Sequence, residues 1–359
     1  MTGKERTLNA LERKPPVDQL PVCDSLWVET LRRWIAEGHI SANENSDDHF
    51  GFDIMRGCGL NSTADPGFKN VILEESDTSM LQLNGNGATL RIPKNSTGTP
   101  EHVGFSVKSR HDWEEKIKPF LIDIDRRRIP SQIYREQKKR ADEKQLFLTV
   151  GGLAPFEQMH PVCGHENLLM GMALDPDWIM DMVETYVNLT INHFEIIFHE
   201  DGLPDAVWLS EDLGFKDHPF MSPAMYKELL LPGHKKLFDF FHSKKLKVIV
   251  HSCGYVEPLV PCLIEAGMDC LQAMEAKAGM DMPRLFKNYG DKISFCGNID
   301  VTIMLKNNIE ELEKELRRKI LPVIKNGGGY ILHSDHSIPP QVDYETFRFF
   351  VDEGRKLIK

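Results

Sequence analysis

The chain reads as a single (β/α)8 barrel of the TIM type, with a β-hairpin insertion in its N-terminal part. Three observations predict this. First, eight short apolar runs are spaced along the chain. They are LPVCD (20–24), FGFDIM (50–55), LFLTV (146–150), AVWLS (206–210), KVIVH (247–251), CLQAM (270–274), ISFC (293–296) and YILH (330–333). Second, helical patterns separate them, and strict alternation of β and α implies a parallel sheet that closes when it reaches eight units. Third, no low-complexity linker or fixed-period repeat divides the chain, so residues 1–359 form one domain.

The elements follow in order. Residues 4–13 (KERTLNALER) form an amphipathic helix that Pro15, Pro16 and Pro21 stop. A helix pattern fills 26–37. Residues 71–93 alternate apolar and polar side chains around Gly85-Asn86-Gly87, a hairpin signal, and the insertion spans about 70–110. Polar helices occupy about 110–143. Further on, Ser222-Pro223 pairs an N-cap with a first-turn proline. Gly267, Gly290 and Gly327 each follow a helical run, as C-terminal glycines do.

Composition narrows the function. Hydrophobic residues make up 41% and charged residues 27%, ordinary for a globular enzyme-sized chain with net charge −11. The basic runs Arg126–Arg128 and Lys138–Arg140 lie among polar residues and read as solvated helix faces, so nucleic acid is not an expected partner. No apolar run reaches the roughly 18 residues of a membrane span. Met1–Lys14 is charged and lacks an apolar signal core. The seven cysteines, at 23, 58, 163, 253, 262, 270 and 296, have no framework spacing. A cytoplasmic protein with reduced thiols is expected.

In such barrels chemistry sits at the C-terminal strand ends. The mouth is therefore expected to collect Asp24, Glu157, Glu211, His251, Cys253, Glu275, Asp300 and His336. His251-Ser252-Cys253 is the sharpest element. Two positions apart on an extended strand, both side chains point the same way, and imidazole and thiolate both bind zinc. The same pair also reads as a small buried thiol beside a hydrogen-bonded ring. His333-Ser334-Asp335-His336 is either a ligand with its supporting partner or a capped loop before Pro339-Pro340. Glu157, Glu211, Asp212, Glu275 and Asp300 are the acid–base candidates. Glu157 and Glu211-Asp212 equally suit helix starts, where a carboxylate meets the positive dipole end. No P-loop, dinucleotide fingerprint or G-x-S-x-G elbow occurs.

The blocks HSCGYVEPLVPCLIEAGMDCLQAMEAKAGMD, ISFCGNID and GGGYILHSDHSIPP resemble the C-terminal half of the uroporphyrinogen decarboxylase superfamily. KERTLNALERKPPVDQLPV, VGGLAPFEQMHPVCGHENLL and SEDLGFKDHPFMSPAMYKELLLP resemble its opening and middle blocks, and the likeness is weakest over 60–140. The resemblance implies a (β/α)8 barrel and one of two chemistries. Porphyrinogen decarboxylases carry an early R-Q-A-G-R block for substrate carboxylates; here that region reads CDSLWVETLRRW, with Arg32 and Arg33 but without the motif. The corrinoid (cobalamin)-dependent methyltransferases bind zinc through H-x-C plus a late cysteine in a P-G-C-G-I-P-P-like loop. His251 and Cys253 match the first part, and SDHSIPP places His336 where that cysteine would stand.

Exchanging a thiolate for neutral imidazole leaves zinc more electrophilic, which suits activation of a methylated oxygen, nitrogen or sulfur. The resemblance thus implies a zinc-dependent methyltransferase. It would move a methyl group from a small donor to a corrinoid protein, as in O-demethylation of methoxylated aromatics; transfer in the reverse direction stays open. The alternative is a metal-free decarboxylase with Arg33 and Asp24 at the substrate. A third reading is a non-catalytic member that binds a corrinoid partner or small ligand.

Overall fold

The computed structural model describes residues 1–94 and 100–358. Seven parallel strands form the main sheet: β1 (Ile54–Gly59), β6 (Phe147–Leu153), β7 (Ala206–Ser210), β8 (Lys247–Ser252), β9 (Cys270–Ala273), β10 (Ser294–Gly297) and β11 (Tyr330–Ile331), in that spatial order. The sheet curls until both edges meet one segment. Leu332 bridges Val22 in parallel. On the other side the Asp53 N–H donates to the Val22 carbonyl at 2.8 Å, and the Val22 N–H to Asp53 Oδ2 at 2.9 Å.

Two sequence expectations shift here. LPVCD is a single bridge at Val22 and not a full strand, because Pro21 has no N–H to give a ladder. FGFDIM begins its strand four residues late. Ser46–Phe50 is a short helix, capped by Asn45 and ended at Gly51, and β1 starts only at Ile54.

Eight buried residues, one per segment around the curl, line the interior: Cys23, Ile54, Phe147, Ala206, Ile249, Cys270, Cys296 and Ile331. Ala10 and Leu11 of the helix Gly3–Leu11 belong to the same cluster. That helix lies across the N-terminal strand ends. Its Lys4 N–H donates to the Gln145 carbonyl just before β6, and Arg6 pairs with Asp53 just before β1. Gly329, preceding β11, touches it so closely that a Cβ there would lie 1.9 Å from the Ala10 carbonyl oxygen. The sheet is therefore stoppered at one end, and its C-terminal end stays accessible.

In place of a lone hairpin, the N-terminal part holds a four-stranded antiparallel sheet. Its strands are β2 (Val71–Glu75), β3 (Ser79–Leu83), β4 (Ala88–Pro93) and β5 (Glu101–Phe105), in sequence order. The Gly-Asn-Gly turn joins β3 to β4, where Asn84 Oδ1 accepts from the Asn86 and Ala88 N–H groups. A second turn, at Ser76–Thr78, is built by the Ser76 hydroxyl accepting from Thr78 and Ser79. Residues 95–99 of the expected insertion lie outside the described residues. Among the described residues, no helix is long and apolar enough to cross a membrane.

Candidate metal centre and barrel mouth

Side chains on one face of a strand recur every second residue. Two positions beyond the interior ring come Ser25, Arg56, Thr149, Trp208, His251, Gln272, Asn298 and His333. This second ring is mostly polar, and its members touch. Arg56 Nη1 donates to Ser25 Oγ at 2.7 Å. The Arg56 guanidinium lies 4.6 Å from the Trp208 ring centre, and the Trp208 and His333 rings are 6.4 Å apart. His251 Nδ1 meets Gln272 Oε1 at 2.5 Å. Asn298 departs from the pattern: its amide ties the loops at Met274, Met280 and Met282.

The register of β7 and β8 sets Ser210 opposite His251, which carries Asp212 over the end of β8. Cys253 Sγ is 3.4 Å from His251 Nε2, and that nitrogen is 3.4 Å from Asp212 Oδ1. The three donor atoms all lie within 4.8 Å of one another. Tetrahedral zinc with bonds of roughly 2.0–2.3 Å needs donors roughly 3.3–3.8 Å apart, so these residues fit the ion. The Gln272 oxygen accepts from Nδ1, which leaves the Nε2 lone pair for a metal. Burial, then the charges of Asp212 and Glu275, pushes the Cys253 thiol well above its ordinary value. A bound dication reverses that environment and favours the thiolate. His336 is outside this group of three; its Nδ1 lies 3.4 Å from the Ser337 carbonyl, and its ring is half-buried. Asp212, expected as an acid–base group, takes the place beside His251 and Cys253.

The remaining carboxylates differ in what they hold. Glu275 accepts from the Gly254 N–H at 2.8 Å and pairs with Lys277 at 2.9 Å. Burial alone would raise its carboxyl, but Lys277 and that N–H outweigh burial and hold it below the ordinary range. Glu157 stands 3.1 Å from His160 Nε2. Glu211 is fully buried, and its oxygens accept from the Phe156 and Glu157 N–H groups and from His234 Nε2. It thereby caps the helix Pro155–Leu174 and is sealed from the mouth. Asp300 caps the short helix Val301–Met304 through Thr302. Asp335 binds the Ala276 and Val301 N–H groups, joining the loops after β9 and β10, and burial raises its carboxyl to about 6. Asp24 accepts from Ser25 and from the Ser334 N–H and hydroxyl.

Sequence reasoning missed Arg56 and Trp208. Placing the strand at 50–55 put Arg56 outside it, whereas in β1 it follows Ile54 on the interior face. Trp208 passed as a plain strand residue. An aromatic shelf was missed as well. His160 stacks on His165 at 4.3 Å, and His165 stacks on Phe220 at 4.9 Å. The helix carrying both histidines breaks at Gly164 (φ 78°), where a Cβ would lie 2.4 Å from the Phe105 ring of β5.

Burial, reinforced by His160 and His102, lowers His165 from 6.5 to about 4. Its neutral stack contributes fully above pH 6.5. That contribution is lost as pH falls from 6.5 toward 4, because the unfolded chain binds the proton first. His165→Phe keeps the stacking and removes the titration. The variant's melting temperature is expected to drop less than the wild type's between pH 7 and 5, by roughly 1–2 °C in a chain of this size. Parallel pH profiles would show that His165 is not held neutral.

The sequence matches the family described as Uroporphyrinogen decarboxylase (URO-D) over residues 81–357. No curated protein matches it. Among solved structures, a methyltransferase from Methanosarcina mazei superposes with a TM-score of 0.69 at 17% identity, over 98% of this chain and 99% of that one. A β-glycosidase from Thermosphaera aggregans aligns over 96% of this chain and 98% of that one, with a TM-score of 0.42 at 12% identity, too distant to inform the site. The first likeness shows a shared TIM-like fold, and with the family match extending from β3 to the C-terminal helix, the chain belongs to the uroporphyrinogen decarboxylase family.

Proposed function

We propose that this protein is a zinc-dependent methyltransferase of the family's corrinoid-dependent branch, built on a complete (β/α)8 barrel with Pro21–Cys23 as the eighth segment. The grouping of Asp212, His251 and Cys253 carries the reading. His251 and Cys253 would hold zinc with Asp212, or with His336 if the last loop moves inward. When bound, zinc supplies Lewis acidity to the oxygen, nitrogen or sulfur that loses the methyl group. A Co(I) corrinoid carried by a partner protein would supply the nucleophile that accepts the methyl group, the demethylated donor keeping the bonding electron pair. Gln272 orients His251, and Glu275, held as a carboxylate, would orient the Lys277 ammonium to donate a hydrogen bond or proton to a departing oxygen.

The decarboxylase reading has less support. It needs Arg33 and Asp24 at the substrate. Arg33 instead donates to the Pro340 and Val342 carbonyls and pairs with Asp343, and Asp24 is occupied by Ser25 and Ser334.

The test mixes the purified protein with a Co(I) corrinoid protein and methoxylated aromatics, methylamines or methyl thiols in turn. Methylation of cobalt, read from its absorption spectrum, is expected with a methoxylated aromatic and with zinc bound. Carbon dioxide release from a carboxylic acid, without transfer from any donor, would overturn the reading.

A further inference from the structure

The Arg56 guanidinium stands at the mouth with no carboxylate in ion-pair contact among the described residues, Asp47 acting on it only from farther off. It offers five N–H donors, yet among the described residues only its bond to Ser25 Oγ is made, and no carboxylate lies within 4 Å. It lies over Trp208, whose ring holds the guanidinium by cation–π attraction and fixes its plane. Between them runs β6, whose Thr149, Gly151 and Gly152 are small. The space left is a pocket of about 290 Å³ lined by Arg56, Thr149, Trp208 and Ser210. That is at the small end of ligand pockets, which run about 300–1,000 Å³. Ser210 is opposite His251, so the pocket adjoins the metal-binding group.

Two buried polar atoms in the same ring point to a ligand. Trp208 and His333 are each 2% exposed, and neither Trp208 Nε1 nor His333 Nε2 has a hydrogen-bond partner among the described residues. Buried donors and acceptors are almost always satisfied, so Trp208 Nε1, in the pocket wall, and His333 Nε2 each keep capacity for one more partner. The indole N–H is a donor only, and it calls for an acceptor oxygen. His333 Nδ1 already meets the Ser334 carbonyl at 2.6 Å, which makes Nε2 an acceptor for a hydroxyl.

We propose that Arg56, laid on Trp208, is the seat for a carboxylate of the substrate, so that the small molecule handled at this mouth is a planar, single-ring acid. A guanidinium fork matches a carboxylate through paired N–H bonds. Its place is the middle of β1, not the early block that holds Arg32 and Arg33. The inference deepens the methyltransferase reading and rests on it for the identity of the reacting group, but binding at Arg56 is measurable without turnover.

The test is calorimetric titration of the full chain as purified, without corrinoid protein. The probes are benzoate, 4-methoxybenzoate and 4-methoxybenzamide. The acids are expected to bind at least about tenfold more tightly than the amide, since a charge-assisted pair contributes about 1.5–3 kcal/mol. Arg56→Gln is expected to erase that difference and leave amide binding within about twofold. Arg56 is exposed, and circular dichroism checks that the variant folds. Equal binding of acid and amide, unchanged acid binding by Arg56→Gln, or no binding of either acid overturns the proposal. Tight, Arg56-dependent binding without methyl transfer would sustain the seat and sink the methyltransferase reading.

Discussion

Cys253→Ala is expected to strip zinc from the protein and abolish methyl transfer while leaving the fold intact. Cys253 follows the end of β8 and is half-buried, so a methyl group in its place disturbs no strand pairing. The loss of a thiolate would remove one of the three donors proposed for the ion. Residues that only support a ligand already cost about 10–100-fold in affinity when removed, so a ligand itself should exceed about 100-fold. Elemental analysis is expected to fall from roughly one zinc per chain to near none. Thermal melts of the metal-free forms should coincide. Zinc retained at full occupancy would rule out the assignment. The companion variants Asp212→Ala and His336→Ala identify the third ligand, because the one that loses the metal holds it.

Glu211→Ala is expected to cost about 3–5 kcal/mol of stability, the range for removing one member of a buried polar pair. Three donors lose their acceptor together: the Phe156 and Glu157 N–H groups and His234 Nε2. His234 is itself completely buried, with Nδ1 receiving the Tyr226 hydroxyl at 2.7 Å. None of these groups can turn to solvent, so each keeps its desolvation cost. Urea unfolding measures the difference. A loss below about 1 kcal/mol would show that the helix Pro155–Leu174 starts without this cap.

The six later strands, from LFLTV to YILH, were legible in the sequence because a short apolar run and the turn residues after it act within a single segment. His251 and Cys253 were visible for the same reason, since their shared direction follows from spacing alone. Asp212 as their neighbour was not, because its position depends on the register between β7 and β8. Nothing within either strand encodes that Ser210 faces His251. Glu211 and Asp212 are adjacent in sequence, yet one is sealed inside and the other reaches the metal-binding group. A single step along an extended chain reverses the side chain, and only the pairing partner decides which face is inward. The early strands failed through local chemistry: proline reduced the first to a bridge, and a capped helix delayed the second. Arg56 was lost with that delay. The four-stranded sheet was underread because Ser76-Asp77-Thr78 makes its turn by a side-chain hydroxyl, without the glycine signal seen at Gly85-Asn86-Gly87.

The helix Gly3–Leu11 closes the N-terminal ends of the strands. Ala10 and Leu11 complete the interior cluster there, and Gly329 leaves no gap against them. The ring of Arg56, Trp208 and His251 lies toward the opposite, C-terminal end, so a ligand entering there would leave by the same side. A macromolecular acceptor seated over that opening would trap whatever small molecule lies beneath it. Under the proposed methyl transfer, the small donor would have to load before the large acceptor docks, and the demethylated product would depart only after the acceptor has left. A stopper made of one short helix would thus impose, on that reading, an order of arrival and departure on a site to which it contributes no reacting group.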